Sequence, residues 1–212
     1  MTDAPLVFEV LEPGGDAARA ARQAPMGLQF LLYGLQSPIN IGMILRVAET
    51  YGFGVSIYDQ HSVLANADRL ATIRDFSCGA LARRGFQMLD DEASLTRALR
   101  GRRLIATSID AKHCPLPSYE FRAGDLFALG NEYDGLPDAL LRRAATLLHI
   151  PMPAGWAPKP KAERPIDPNR TTAVANDGQP NLNVAMTAGI VCYAAYASML
   201  ARHHAAAAPS RR

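Results

Sequence analysis

Leu28-Gln29-Phe30-Leu31-Leu32-Tyr33, closed by Gly34 and then by Ser37-Pro38, is the stretch that decides the fold. A short apolar run bounded by turn residues reads as a buried strand ending in a loop. Directly behind it, Ile41, Ile44, Leu45 and Ala48 recur at i, i+3, i+4 and i+7 up to Gly52, which describes an amphipathic helix with Asn40 placed to cap it. Val55-Ser56-Ile57-Tyr58 then reads as a second strand. Strand, helix and strand in immediate succession predict the crossover unit of a parallel sheet.

The same alternation continues outward. Strands are expected near 85–89, 103–107, 125–130 and 147–150, helices near 91–100 and 134–145, and a long final helix from about 182 to 202. The expected class is therefore α/β, a mostly parallel sheet covered on both faces by helices. Residues 1–27, rich in Ala, Pro, Gly and Arg, read as an N-terminal extension, and residues 28–212 as one domain, which the length of 212 residues suits. Two segments break the rhythm. Residues 153–180 hold six prolines, from Pro153 to Pro180, with Lys159, Lys161, Arg164 and Arg170, and read as a long inserted loop. The tail after Arg202 reads as a fraying helix end and a solvated basic terminus.

Composition excludes several classes. Hydrophobic residues are 49% and charged residues 20%, so the chain is neither disordered nor fibrous. Lys and Arg number 22 against 20 Asp and Glu, a net charge of +2 that leaves the partner open. Cys78, Cys114 and Cys192 form no CxxC pair, so neither a disulfide framework nor a thiolate zinc site is expected, and the chemistry suits a cytoplasmic location. Asp3, Glu9 and Glu12 precede Arg19, the reverse of a signal peptide. Val184 to Ala201 lacks charge and imitates a membrane span. Its many alanines, with Thr187, Ser198 and Gly189, fit a buried or interface helix better. Histidines His61, His113, His149, His203 and His204 form no metal-ligating pattern, and the dinucleotide, P-loop, zincin and hydrolase motifs are missing.

Three polar clusters stand at the C-terminal ends of expected strands, where open parallel sheets place their ligands. The first is Ser37-Pro38-Ile39-Asn40-Ile41-Gly42-Met43-Ile44-Leu45-Arg46. The second is Leu129-Gly130-Asn131-Glu132-Tyr133-Asp134-Gly135-Leu136-Pro137 with His149-Ile150-Pro151-Met152 behind it, and the third is Asn181-Leu182-Asn183-Val184. Taken singly each has a plain account: Asn40 and Asn183 as helix caps, Arg46 as a surface charge, Gly130 and Gly135 as turn residues.

Taken in order, the clusters resemble the three motifs of the SpoU/TrmH RNA ribose methyltransferases: N-x-G-x-x-x-R after the first strand, L-G-N-E with G-L behind it, I-P-M after the next strand and L-N-V opening the last helix. The resemblance spans residues 28 to about 200. It implies an α/β fold with a C-terminal trefoil knot, S-adenosyl-L-methionine bound bent in the knot, a homodimer, and an RNA substrate, tRNA before rRNA, methylated on a ribose 2′-hydroxyl without a metal. It also assigns residues. Arg46, Asn40, Glu132 and Asn183 become the catalytic set, and Thr107, Gly130, Ile150, Met152 and Leu182 the cofactor-binding positions.

The implied reaction is an in-line displacement, so positioning carries most of it. A guanidinium with a pKa above about 12 is a poor base, so Arg46 is expected to bind the neighbouring phosphate and steady the developing alkoxide, oriented by Glu132. Asn40 and Asn183 are expected to hold the arginine or the ribose. Two departures stand out: Asn181 and Ala185 occupy positions where the family commonly has Ser, and the 153–180 loop is longer than in many relatives. They motivate the alternative of a catalytically weak, knotted RNA-binding protein. A nucleobase-methylating enzyme is a third possibility.

Overall fold

The computed structural model describes residues 26–130, 135–153 and 182–207. The opening stretch is strand β1 (Gln29–Tyr33), and α1 (Pro38–Tyr51) follows. Ser37 caps α1, its hydroxyl accepting from the Asn40 amide at 3.3 Å, and Pro38 takes the first helical position, where its missing N–H costs nothing. Asn40 is therefore not the cap. It lies inside the first turn, and its side chain reaches beyond the helix.

Strand β2 (Gly54–Tyr58), helices α2 (Ala67–Phe76) and α3 (Ala80–Arg83), β3 (Gln87–Leu89), α4 (Glu92–Leu99), β4 (Leu104–Ser108) and β5 (Cys114–Pro115) come next. The described chain ends with β6 (Leu126–Gly130), α5 (Asp138–Arg143), β7 (Thr146–His149) and α6 (Val184–Ala207). All seven strands form one sheet in the order β3-β2-β1-β6-β4-β7-β5, and every pairing is parallel. The class read from the sequence holds. Helices α2 and α3 and the short β5 were not anticipated, and α5 is shorter than its expected span of 134–145.

The sheet buries a face on each side. Phe30, Phe53, Phe121 and Phe127 join the apolar sides of α1 and α6 on one, and Leu31, Leu104, Ala106 and Ala128 pack with Leu95 and Leu99 of α4 and Leu140 of α5 on the other. Helix α6 is long and apolar enough to cross a membrane by composition alone. Here Val184, Ala188, Val191, Cys192, Ala195 and Met199 are buried in the first of these cores, beside α1. Gly42 sets how near α2 comes to α1: a Cβ there would lie 2.8 Å from the Ile73 carbonyl oxygen and from Phe76 Cβ. The chain runs from β1 outward to β2 and β3, then returns to place β6 and β4 on the other side of β1. That reversal opens a crevice at the C-terminal ends of β1 and β6, the usual ligand site of open α/β sheets.

Candidate functional site

The register gathers the sequence motifs at this crevice. Tyr33 at the end of β1 pairs with Gly130 at the end of β6, Ala106 pairs with Ala128, and Ser108 pairs with His149, so Thr107, Gly130 and Ile150 occupy neighbouring strand ends. Adjacent strands lie about 4.8 Å apart, which places these residues within the reach of one small molecule. Thr107 donates its hydroxyl proton to the Ala128 carbonyl at 3.0 Å, which ties β4 to β6 and leaves the Thr107 backbone as the group available to a ligand. Ile150 packs against the core while remaining partly accessible, and Met152 and Leu182 are likewise half-buried.

Gly130 has a steric reason for the turn expected of it. A Cβ on it would stand 2.3 Å from the Gly135 carbonyl carbon and oxygen and 2.7 Å from the Leu136 amide nitrogen. The space a side chain would fill is thus taken by the protein's own returning loop, and the glycine is required for the turn of the second motif whatever binds there.

The first and third motifs meet directly. Asn183 donates from Nδ2 to Asn40 Oδ1 at 3.0 Å, while its own Oδ1 accepts from the Ala185 amide at 2.8 Å. The second bond has the pattern of a helix N-cap, so Asn183 starts α6 and holds α1 at once. Asn40 is buried, at 7% exposure.

Arg46 lies farther along α1 on its exposed side, and among the described residues its guanidinium makes no hydrogen bond or ion pair with a neighbour. It borders an apolar surface of Met43, Val47 and Tyr51 from α1 and Met186, Ile190 and Tyr193 from α6. Tyr193 is 62% exposed. Glu132 and Asn181, with the body of the 153–180 insertion, lie outside the described residues.

Three polar groups at the same strand ends are linked in a way the sequence does not show. Ser108 Oγ and His113 Nδ1 are 2.9 Å apart, and His149 Nδ1 lies 2.9 Å from the His113 carbonyl oxygen, to which it donates. This hydrogen bonding braces the loop after β4 against β7, and the adjacency of Ser108 to Thr107 is the only signal for it in the sequence. Among the described residues no group of three or more His, Cys, Asp or Glu is arranged to hold a metal ion.

Residues 27–157 match the model of the SpoU rRNA Methylase family. No curated protein sequence matches the chain. Among solved structures it is similar to one described under structural insights into the 2-OH methylation of C/U34 on tRNA, at 24% identity and a TM-score of 0.62, over 82% of this chain and 97% of that one. It is similar to the SpoU methyltransferase AviRb from Streptomyces viridochromogenes in complex with AdoMet, at 20% identity and a TM-score of 0.61, over 89% of this chain but only 63% of that one. The A. aeolicus TrmH/SpoU tRNA modifying enzyme aligns at 17% identity and a TM-score of 0.62, over 86% of this chain and 79% of that one. At these identities the likenesses establish the fold.

Proposed function

This chain belongs to the SpoU rRNA methylase family, a family of RNA methyltransferases, and from that premise we propose that it moves a methyl group from S-adenosyl-L-methionine to a ribose 2′-hydroxyl of RNA, tRNA before rRNA, in the cytoplasm. The observation that carries the reading is the Asn183–Asn40 hydrogen bond, which joins the first and third motifs beside the strand ends that bear the second. A catalytically silent RNA-binding protein would have no need of this amide pair at the head of a helix that also carries an exposed arginine.

The residues present fit the cofactor. Ile150, Met152 and Leu182 offer half-buried apolar surface for a purine, and the strand ends at Thr107 and Gly130 offer backbone polar groups beside it. When bound, S-adenosyl-L-methionine supplies an electrophilic methyl group on a sulfonium. The chain's own part is alignment and charge. Arg46 binds the phosphate next to the target ribose and steadies negative charge on the 2′-oxygen as its proton leaves to that phosphate or another acceptor. Asn40 and Asn183 fix the helix starts between which the ribose lies, and Glu132 orients Arg46. The trefoil knot implied by the resemblance is part of this reading.

A homodimer completes it. Met186, Ile190 and Tyr193 repeat at helical spacing on the exposed flank of α6, next to Met43 and Val47, and a second copy covers that apolar surface while bringing Arg46 toward the partner's crevice. The test of the function is incubation with methyl-labelled cofactor and separate tRNA and rRNA, followed by nucleoside analysis. Label in 2′-O-methylated nucleosides of tRNA is expected. Label confined to bases, or none with a protein that binds no cofactor, refutes the proposal.

A further inference from the structure

The opposite end of the sheet carries a second concentration of charge that the methyl-transfer site does not use. The segment from the last turn of α4 to β4 contains Arg97, Arg100 and Arg102 with no acidic residue among them, and α5 closes with Arg142 and Arg143. Residues more than forty apart in sequence are joined there: Arg143 Nη2 donates to the Leu99 carbonyl at 3.2 Å, and the Ala145 amide donates to the Leu104 carbonyl at 2.8 Å. Arg97, Arg100, Arg142 and Arg143 are exposed, and Arg102 is half-buried.

Internal structure does not account for so many cations in one place. The carbonyl end of α4 presents the equivalent of about half a negative charge, enough to balance one guanidinium in part. Among the described residues Asp138 is the one carboxylate in an ion pair with the group, 3.7 Å from Arg142 with both side chains largely in solvent, an arrangement that is weak by nature, and exposed Asp91 at the start of α4 attracts Arg97 without pairing with it. Asp125, the nearest buried carboxylate on the other side of the rim, is already committed: it accepts from Tyr119 Oη at 2.7 Å and from the Arg122 amide at 2.9 Å, with Arg103 Nε 3.0 Å away. Arg102 Nη1 is enclosed with no hydrogen-bond partner among the described residues, so that cation has no carboxylate of its own. The result is a surface of uncompensated positive charge on a chain whose net charge is only +2. A cleft of about 340 Å³ lined by Arg103, Tyr119, Arg122 and Thr146 opens along the same rim.

We propose that Arg97, Arg100, Arg102, Arg142 and Arg143 form a docking surface for the phosphodiester backbone of the RNA substrate, remote from the reacting ribose. The proposal rests on the RNA-methyltransferase reading above. Guanidinium forks match phosphate oxygens, and backbone contacts position a nucleic acid without reading its sequence. Strand β4 runs from this surface to the crevice, and its five residues at about 3.3 Å each separate the two by about 15 Å. A short oligonucleotide seated at the crevice ends before it reaches the arginines, whereas a folded RNA spans both. The surface therefore selects for structured substrates.

The test compares the parent protein with a triple variant, Arg97→Ala, Arg100→Ala and Arg142→Ala, all at exposed positions, and with a charge-matched triple on the far helices, Arg69→Ala, Arg74→Ala and Arg83→Ala. Binding of a mixed tRNA preparation is measured over a range of salt, with calorimetry of S-adenosyl-L-methionine and thermal melting alongside. The first triple is expected to bind tRNA at least tenfold more weakly and to flatten the slope of log K against log salt by about 2, since each phosphate contact contributes about 0.7 to 0.9. Cofactor affinity and melting stay at parent values, and the second triple keeps tRNA affinity within about threefold of the parent on the same scale. Undiminished tRNA affinity in the first triple overturns the proposal, including the case where that variant loses binding to phosphatidylserine vesicles instead, which reassigns the surface to a membrane. Equal losses in both triples overturn it too, because they report net charge alone. A parent protein that binds no RNA overturns this inference together with the proposed function, whereas normal parent binding with an undiminished triple overturns this inference alone.

Discussion

Replacing Asn183 by Ala removes, among other contacts, two hydrogen bonds of different kind, and the structure gives a size to each. The Asn183 Oδ1 bond to the Ala185 amide caps α6, and its loss costs about 1 kcal/mol. The Nδ2 bond to Asn40 Oδ1 joins α1 to α6, and its loss costs about 1 kcal/mol more. Together they lower stability by about 2 kcal/mol, a fall in melting temperature of about 4–8 °C for a domain of this size. Asn40→Ala loses the same shared bond, which accounts for about 1 kcal/mol of its cost. The double variant then loses about 1 kcal/mol less than the sum of the two single variants, because both singles lose that one bond. Asn183→Ser separates the parts, since a serine hydroxyl still caps the helix but falls short of Asn40. The assay is denaturant unfolding of the four proteins of the cycle, paired with methyl transfer to tRNA. Additive single-variant losses, or Asn183→Ser as damaging as Asn183→Ala, refute the view that one side chain starts one helix and fastens the other.

Arg46→Ala is expected to abolish methyl transfer with cofactor affinity unchanged, and Arg46→Lys to restore little, because a point charge cannot reproduce the planar fork; turnover in the Ala variant at the parent rate removes Arg46 from the mechanism. Gly42→Ala gains up to about 1 kcal/mol of helix propensity but forces a methyl group 2.8 Å from the Ile73 carbonyl, where overpacking costs about 1–3 kcal/mol, so a net loss of about 1 kcal/mol should appear in unfolding curves, and a stabilised variant contradicts the close approach of α2. Ile190→Asp with Tyr193→Asp should turn a dimer into a monomer by light scattering; a parent protein that already scatters as 22.9 kDa rejects the interface. Tyr58 donates to Glu92 Oε1 at 2.7 Å, and this bond, with burial, pushes its phenol up to about 12 from an ordinary value near 10. Because the folded value is the higher one, its contribution to stability is complete below pH 10 and is lost as pH rises toward 12, so Tyr58→Phe should flatten alkaline unfolding over that window. An unchanged alkaline profile counts against the bond.

The sequence was most legible where burial and period agree. β1 is buried through Phe30, Leu31 and Leu32, and α1 buries Ile41, Ile44, Leu45 and Ala48, so both show in the pattern of apolar residues. α2 buries only Ile73, and a single apolar contact leaves no periodicity to read. β5 is two residues long and owes its existence to pairing with β7, a tertiary fact. Asn40 was misread as a cap because its amide side chain suits one, although Ser37-Pro38 three residues earlier is the stronger helix-start signal. In the site, the motif residues were individually visible, but the bond between Asn40 and Asn183 spans 143 positions and no local pattern encodes it. Gly130 reads from the sequence as a turn residue and a cofactor-binding position, and only the folded chain shows Gly135 occupying the space its side chain would need. The arginine surface was invisible for the same reason as the asparagine pair: residues 97–102 and 142–143 become neighbours only through β4 and β7.

The packing of α6 against α1 also fixes when the molecule can finish folding. A ribosome adding about 5–20 residues per second takes roughly 7–30 s to travel the 143 positions from Asn40 to Asn183. Throughout that interval the side of α1 that α6 will cover faces water, and β1 lacks its partner β6 for most of it. The nascent chain thus carries an uncovered apolar helix and an open sheet edge side by side, the two features that invite association with other chains. Expression at low temperature with abundant chaperone should raise the soluble yield of this protein, while truncation before residue 184 should yield insoluble material whatever the conditions.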